Sequence, residues 1–552
     1  MASKGKTTIT FTEVDELDNP TSTNIYSAPS QEAPSSSNNG KQIAGRVDIE
    51  HTSSASTPWS LSSLQSLLID VFLPAGYPHS VSDDYVPYQI FDSLQAFSSS
   101  IAGLLASRAV LQGVGVGNAS ASPTNALLLH ILQDTSGRIA TILFAHRVGT
   151  ALEPECKMYR FAADIFNDLA MVLDCLSPGI PSGYARVSVL SGAGVLRALC
   201  GIAGGSSKAS LSAHFSRWGN LAEVNAKDSS QETVISLIGM LVGSLVVSHI
   251  TSFTATWITL ILLLSLHLSL NYAAVRSVQM TTLNRQRANI VFSTLLPSDP
   301  DFFEFVFGHG SVFQQHEKKQ QQQQQGRQGE KKETQFLSAL NPAQVAKQER
   351  IFEAGGVLRW YPSSSSSSST PTSSVTPSPE RLGTCQIGVS LRHFLLTHSS
   401  TTKSPASGSL EISLPLRELT TLFEEEEYIL YLSLTAQDRR KGNIRATILL
   451  KSPSSAKPTS VDSSSSASKS HLKAWLHALL ASRVLHLQQD SGVDVLRTLS
   501  STLEFLNDGR FEGYIDAVKG SGWDVDDGGD GGGGSALVTK VGRRVVVSNL
   551  DP

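Results

Sequence analysis

Four polar side chains share one face of an otherwise apolar segment of the chain. Arg160, Asp164, Asn167 and Asp168 stand at positions i, i+4, i+7 and i+8, which lie together on one side of an α-helix. Ionisable groups in an apolar helix are costly, so they usually pair with one another or line a polar pathway. Two hypotheses follow. The face is a site or pathway for a proton, a cation or a polar ligand, or an Arg160–Asp164 pair ties neighbouring helices together.

A second polar segment, residues 220–232, stands directly before a long apolar stretch. Its side chains Lys227, Asp228, Gln231 and Glu232 are of the types that cap a helix or contact a ligand group. A polar connection at a membrane surface is the more frequent explanation for such a segment, and we adopt it as the hypothesis for these four residues.

Other kinds of chemistry have little support in the sequence. The four cysteines form no CxxC pair and no zinc-type spacing with histidine, and no G-x-S-x-G motif is present. The glycines Gly113, Gly115 and Gly117 follow a predicted helix, whereas a dinucleotide-binding loop follows a strand. We therefore expect no enzyme, no catalytic residues, no metal and no cofactor. The net charge of −4 also argues against a nucleic-acid partner.

The elements that must position these residues are long apolar helices. Residues 234–250 and 253–275 contain no Asp, Glu, Lys or Arg, and a bilayer span needs about 20 predominantly apolar residues. This pattern predicts an integral membrane protein. The candidate helices are residues 90–111, 125–132, 137–152, 158–176, 185–202 and 233–274.

The two charge-free stretches are separated only by Thr251 and Ser252. They form either a tight helical hairpin or one span with a long extension. Gly239 and Gly243 make a GxxxG pair, which permits close helix–helix approach either within the hairpin or in a dimer, and the hairpin is favoured. Arginines after residue 275 place that end of the helix on the cytosolic side or its equivalent.

Four domains are predicted. Residues 1–58 are polar and predicted to be disordered, without a secretory signal peptide. Residues 59–296 form a multi-helix membrane-type domain, and residues 297–380 a linker with short helices and low-complexity runs. Residues 381–552 form a small α+β domain with flexible inserts. The fold class is therefore mainly α, with strands expected only in the last domain.

Several short motifs occur in the order found in one known family. Together with Asp92-Ser-Leu-Gln, they are LPAGYP (73–78), SDDYVPYQ (82–89), GVGVGNASASP (113–123), KMYRFAADIFNDL (157–169), AKDSSQET (226–233) and NYAAVR (271–276). Residues 64–296 thus resemble the root UVB sensitive (RUS) family, which carries a DUF647-type domain. The C-terminal part, with Trp475, Gly522 and Trp523, is similar to the family's smaller second domain.

The resemblance implies a membrane-associated protein, and plant members are linked to ultraviolet-B sensitivity and vitamin B6 homeostasis. It supplies no catalytic or binding residue. We expect an integral protein of an unidentified membrane, whose partners are the lipid bilayer and either another RUS-family member or a second copy of itself. The main hypothesis is a membrane scaffold or adaptor. The alternative is a carrier for a small polar solute that uses the Arg160/Asp164/Asn167/Asp168 face.

Overall fold

The computed structural model describes most of the chain beyond residue 70 and three short stretches near the start. The described residues are 6–14, 20–29, 46–51, 68–69, 71–114, 123–181, 183–307, 337, 339–353, 355–362, 378–398, 414–434, 443–452, 463–488, 494–525, 537 and 544–546. The chain divides into two compact units. The first comprises residues 1–83 and 216–231, and the second comprises residues 84–215 and 232–552.

The first unit contains a three-stranded antiparallel sheet in the order β1-β2-β3. Its strands are β1 (Lys6–Val14), β2 (Pro20–Pro29) and β3 (Arg46–His51), and Ile9 lies opposite Tyr26 in the register. The prediction of disorder does not hold for these three stretches. Threonine and isoleucine recur along β1, and β-branched residues favour extended backbone even where the overall composition is polar.

Six long helices open the second unit or run into it. They are α1 (Tyr85–Val114), α2 (Pro123–Val148), α3 (Cys156–Leu176), α4 (Tyr184–Phe215), α5 (Leu221–His249) and α6 (Phe253–Ser277). By length and composition, α1, α4, α5 and α6 could each cross a membrane. The predicted helix at 61–72 falls mostly outside the described residues, as do Gly115 and Gly117.

Two predicted helix boundaries are wrong, and close packing explains both. Residues 125–132 and the first part of the predicted helix 137–152 lie on the single helix α2, which ends at Val148. Gly137 continues this helix where a Cβ atom would come within 3.4 Å of Ala198 on α4. Helix α4 itself runs past residue 202 through Gly204, where a Cβ atom would meet Ala163 of α3 at 3.6 Å. Tertiary contact outweighs the weak intrinsic preference of glycine against helix.

Helices α5 and α6 are separate and joined by three residues, so the alternative of one continuous span does not hold. Ser252 caps α6 by accepting a hydrogen bond from the Ala255 amide at 3.1 Å. Arg108 of α1 donates to the carbonyl oxygens of Val247 and Ile250, at 2.8 and 2.6 Å. The last carbonyl groups of a helix have no intrahelical partner, so the Arg108 guanidinium provides hydrogen-bond donors for the C-terminal end of α5.

The GxxxG pair packs α5 against α1. A Cβ atom on Gly239 would lie 2.8 Å from Ser100 Cβ, and one on Gly243 would lie 2.7 Å from Leu104 Cδ1. The favoured assignment of these glycines to the α5–α6 hairpin is therefore wrong. The spacing shows that a helix can be approached closely, but it does not identify the neighbouring helix.

The rest of the second unit is an α+β arrangement. Its helices are α7 (Arg285–Leu295), α8 (Pro300–Phe307), α9 (Pro342–Gln348), α10 (Leu391–His398), α11 (Leu416–Leu422), α12 (Ser463–Leu487), α13 (Val495–Asn507) and α14 (Arg510–Gly520). Its strands are β4 (Val357–Trp360), β5 (Glu380–Ile387), β6 (Tyr428–Ser433), β7 (Ile444–Lys451) and β8 (Arg544–Val545). The sheet order is β4-β5-β7-β6, with β8 paired to β7; β5 and β7 are parallel.

One apolar core joins these elements around α12. The Trp475 side chain of α12 is fully buried, and its indole N–H donates to Asn289 Oδ1 on α7 at 2.9 Å. The same core includes Phe302, Val345 and Trp360. Residues in the predicted linker 297–380 are thus part of this core, because short apolar elements flank its polar runs. Those runs, at 320–325 and 363–369, lie outside the described residues, as does the glycine-rich insert at 528–534.

Candidate functional site: a polar cluster between three helices

The polar face of α3 is directed toward two neighbouring helices. Asp164 and Asp168 are both buried, and Arg160 is largely buried. Helix α1 contributes an acid and an amide from positions i and i+3, and α6 contributes an imidazole and an amide from positions i and i+4. We call the resulting group the polar cluster: Asp92, Gln95, Arg160, Asp164, Asp168, His267 and Asn271.

Arg160 pairs with an acid that the sequence did not suggest. Its Nη2 atom lies 2.6 Å from Asp92 Oδ1 on α1, and both side chains are mostly shielded from solvent. The hypothesis of a structural Arg160–Asp164 pair is therefore replaced by a pair between helices. An i, i+4 spacing favours a pair along one helix, whereas packing brings a charged partner from a neighbouring helix.

Asp164 is held by two amide donors. Its Oδ2 atom accepts a hydrogen bond from Gln95 Nε2 at 2.6 Å and a short one from Asn271 Nδ2. His267 Nε2 lies 3.7 Å from the same oxygen. The three helices α1, α3 and α6 therefore converge on one carboxyl group.

His267 lies between two carboxyl groups. Its Nδ1 atom is 2.7 Å from Asp168 Oδ1, and its opposite nitrogen faces Asp164. Only 1% of the His267 side chain is exposed. A neutral imidazole carries a proton on one nitrogen and an imidazolium carries one on each, so this position suits a group that exchanges protons with two acids.

Asn167, the fourth predicted residue of the face, is placed differently. Its Nδ2 atom donates to Ser99 Oγ of α1 at 3.4 Å, and the side chain is half-buried. It contacts α1 beside the polar cluster and makes none of the cluster's ion pairs. Three of the four predicted residues therefore converge, and Asn167 is peripheral.

The sequence reasoning missed four members of the cluster, although two signals were available. Asp92 and Gln95 are spaced i, i+3 in the quoted motif Asp92-Ser-Leu-Gln. His267 and Asn271 are spaced i, i+4 and are the strongly polar side chains of the charge-free stretch 253–275. Each pair lies on one helical face. Polar residues in an apolar helix usually face the interior of the protein.

The residues predicted at a membrane surface make contacts with other segments of the chain. Helix α5 begins at Leu221, so they lie within its first turns rather than before it. In the first unit, Lys227 Nζ donates to the Val71 carbonyl at 3.2 Å, and Gln231 Nε2 donates to the Phe72 carbonyl at 2.5 Å.

The remaining two residues of that segment, Asp228 and Glu232, are buried or form an ion pair. Asp228 is buried. In the second unit, Glu232 pairs with Lys208 of α4 at 2.7 Å. Helix α5 is thus connected to other segments of the chain by the contacts of Lys227, Gln231 and Glu232.

A second buried ionic group links the start of α3 to the α+β part. Glu349 follows α9; its Oε2 atom lies 2.6 Å from Lys157 Nζ and its Oε1 atom lies 2.8 Å from Arg287 Nε. We call these three residues the Glu349 joint. Burial alone would raise the pKa of the Glu349 carboxyl, but the charges of Arg287 and Lys157 outweigh burial and hold that pKa at about 2. The Glu349 carboxyl is therefore ionised at neutral pH, while burial lowers the pKa of the Lys157 ammonium.

Metal coordination has no support among the residues that the structure describes. They contain no group of three or more His, Cys, Asp or Glu side chains arranged to hold a metal ion. The cluster can instead bind and exchange protons, or hold a small cationic or polar ligand.

Together, the fold and the cluster define a helical protein whose described residues include four membrane-length apolar helices, a charged group between three helices, and an α+β region. A family model described as "Vitamin B6 photo-protection and homoeostasis domain" matches residues 58–299. Through this region, which is under half of its length, the chain is similar to the RUS family.

Curated relatives match over the same part of the chain. RUS family member 1 of Dictyostelium discoideum is 44% identical over 234 residues, which are 42% of this chain and 44% of the relative. Protein root UVB sensitive 3 of Arabidopsis thaliana is 35% identical over 227 residues, 41% of this chain and 51% of the relative. The chain thus spans about half the length of these relatives. No solved structure matches it.

Proposed function

We propose that the protein is an integral membrane protein in which α1, α4, α5 and α6 cross the bilayer. One observation carries this proposal: large apolar side chains are exposed along the outside of α5 and α6. Leu237, Leu241 and Leu245 form an i, i+4, i+8 stripe on α5 and are 53%, 62% and 64% exposed. Such a stripe is unfavourable in water but suits a lipid environment.

Membrane extraction tests this proposal. The full-length protein should resist a carbonate wash and be released by detergent, and removal of residues 253–275 should change its extraction. Release of the intact protein by carbonate alone would contradict the bilayer placement.

Within the membrane, we propose that the helical part anchors the α+β region as a scaffold for a partner protein that serves vitamin B6 homeostasis. The Glu349 joint supports the scaffold because it links α3 to α7 and to the end of α9 through buried charges. The matching family description supports the link to vitamin B6.

The Glu349→Gln variant tests the scaffold. Loss of the carboxylate leaves Lys157 and Arg287 buried without their acid, at a cost of about 3–5 kcal/mol. We expect protease to release the α+β region from membranes several-fold faster, while the helices stay carbonate-resistant. Glu380→Gln is the matched control, because Glu380 pairs with Arg483 on the half-exposed surface. Equal release from both variants would contradict a rigid anchor.

A carrier for a small polar solute is the second candidate, and the buried charges of the polar cluster favour it. Charged groups within apolar helices commonly mark solute or proton pathways. In vesicles containing the protein, uptake of a B6 vitamer should be lost in the Asp164→Asn/Asp168→Asn double variant. It should persist in Asp134→Asn, whose carboxylate forms an exposed pair with Arg138. Unchanged uptake by a folded double variant would rule out this mechanism.

A further inference from the structure

The polar cluster contains more acidic than basic groups. Asp92 and Arg160 form one balanced pair. The remaining titratable groups of the cluster are Asp164, His267 and Asp168, which we call the acid–imidazole trio. Even with His267 protonated, two carboxylates face a single imidazolium, so the trio would retain one excess negative charge.

The surrounding elements do not supply the missing positive charge. Helix α1 contributes the weakly acidic Tyr88 beside Arg160, and α4 contributes the Cys200 thiol near Asp164. Arg197 of α4 acts on Cys200, and it is paired with Asp174 of α3. An excess charge inside a packed bundle is strongly unfavourable, and a carboxyl group in that position takes up a proton instead.

Unpartnered atoms in the cluster give a second, independent indication of a bound species. Gln95 and Asn271 each direct an N–H toward Asp164, and their carbonyl oxygens, Oε1 and Oδ1, are buried without a hydrogen-bond partner among the described residues. Gln95 is 6% exposed and Asn271 is 0% exposed. Buried acceptors are normally satisfied, so these two oxygens indicate that the cluster holds a hydrogen-bond donor beyond its side-chain amides.

The two carboxyl groups of the trio differ in their hydrogen bonds. Asp164 accepts from two amides, which stabilises its charged form. Neither oxygen of Asp168 accepts a well-directed hydrogen bond within the described residues, although His267 Nδ1 lies 2.7 Å from Oδ1. Asp168 is therefore the carboxyl group better suited to hold a proton.

We propose that the acid–imidazole trio is a proton-binding site that holds two protons at neutral pH, one on His267 as an imidazolium and one on Asp168 as a carboxylic acid. The imidazolium then balances Asp164, and the trio is neutral overall. The inference deepens the carrier hypothesis, and rests on it for the purpose of the site, because a carrier coupled to protons needs a group that takes them up and releases them.

Infrared spectroscopy of the full-length protein in detergent tests the site without any transport. At pH 7 the wild type should show a carboxylic-acid C=O band that shifts in D2O, and Asp168→Asn should lose one such equivalent. Asp164→Asn should lose it too, because the imidazolium would then be balanced by an ionised Asp168. His267→Gln should keep the band, and the surface control Asp134→Asn should match the wild type.

Three outcomes would overturn the proposal: no such band in the wild type, a band unaffected by Asp168→Asn, or a band abolished by Na⁺, K⁺ or Mg²⁺ at constant pH. The last would assign the site to a metal cation. Circular dichroism establishes which variants fold. If the variants do not fold, the infrared spectrum of the wild type alone decides whether the carboxylic-acid proton is present. The two proposals fail separately. Loss of vitamer uptake with an intact band would contradict the carrier alone, and loss of the band with intact uptake would contradict the proton site alone.

Discussion

The helical and α+β parts of this chain differ in the side chains that they bury and expose. In the α+β part, apolar side chains from α7, α12 and the sheet fill the interior. Among α1, α3 and α6, the interior holds carboxyl groups, a guanidinium and an imidazole beside a small apolar cluster that includes Ala106, Met171 and Leu264, while leucines and isoleucines face outward. The hydrophobic effect favours the first arrangement in water, so the second supports the proposal that these helices are surrounded by lipid.

Two buried histidines illustrate this difference between the two parts of the chain. His267 lies between Asp164 and Asp168. His477 of α12 lies between neutral hydroxyl groups, with Tyr428 Oη 3.0 Å from Nδ1 and Thr502 Oγ1 2.9 Å from Nε2. The same side chain is thus placed among acids in one part and among hydroxyls in an apolar core in the other. The neighbouring groups, rather than burial itself, therefore distinguish the two imidazoles.

The largest expected effect is on the apolar core of the α+β part. Trp475→Ala should destabilise this part by about 3–5 kcal/mol, because it removes a fully buried indole. The same change leaves the Asn289 amide without its donor. Urea unfolding followed by far-ultraviolet circular dichroism measures the loss. Trp218→Ala is the control, since Trp218 is about half exposed; an equal loss in both variants would contradict the assigned core.

The next prediction concerns the outward face of the helical part. Leu262→Arg replaces an exposed leucine of α6 and should cost about 2.5–3.5 kcal/mol of membrane insertion near the helix centre. We expect a several-fold smaller fraction of carbonate-resistant protein. Leu391→Arg is the matched control, because Leu391 is also exposed, at 43% against 66% for Leu262, but lies in the α+β part. Indistinguishable extraction of the two variants would contradict a lipid-facing α6.

Sequence patterns predicted some parts of this arrangement and could not predict others. The apolar helices and the Arg160, Asp164, Asp168 face follow from local periodicity, which is encoded within one segment. The partner of Arg160 does not, because Asp92 lies on another helix and reaches it only through packing. The same holds for Gly239 and Gly243, whose spacing predicts a close helix contact but does not identify α1 as the neighbouring helix.

Acid should weaken the α+β part through His477. Burial lowers the pKa of this imidazole to about 3 from its ordinary value of 6.5. The unfolded chain therefore binds a proton below pH 6.5 that the folded chain does not bind until pH 3. The stability is fully present above pH 6.5 and falls as pH decreases, by about 1.4 kcal/mol per pH unit, or roughly 2 kcal/mol at pH 5.

The His477→Gln variant isolates this contribution. The variant lacks the titrating group, so its free energy of unfolding should depend less on pH between 6.5 and 5, although it is less stable at pH 7. Urea midpoints at several pH values provide the measurement. Parallel pH profiles for wild type and variant would show that His477 is not the responsible group.

The smallest expected effects come from two glycines in neighbouring helices. Gly243→Ala should destabilise the contact between α5 and α1 by about 1 kcal/mol or somewhat more, since its Cβ would lie 2.7 Å from Leu104 and 3.2 Å from Ile101 Cα. Gly103→Ala on α1 should stabilise by up to about 1 kcal/mol, because its Cβ would meet nothing within 4 Å and alanine is the better helix former. Thermal unfolding in detergent should therefore shift in opposite directions. A shift of the same sign in both variants would mean that close packing at Gly243 does not join these helices, and that the GxxxG pair is free to act elsewhere.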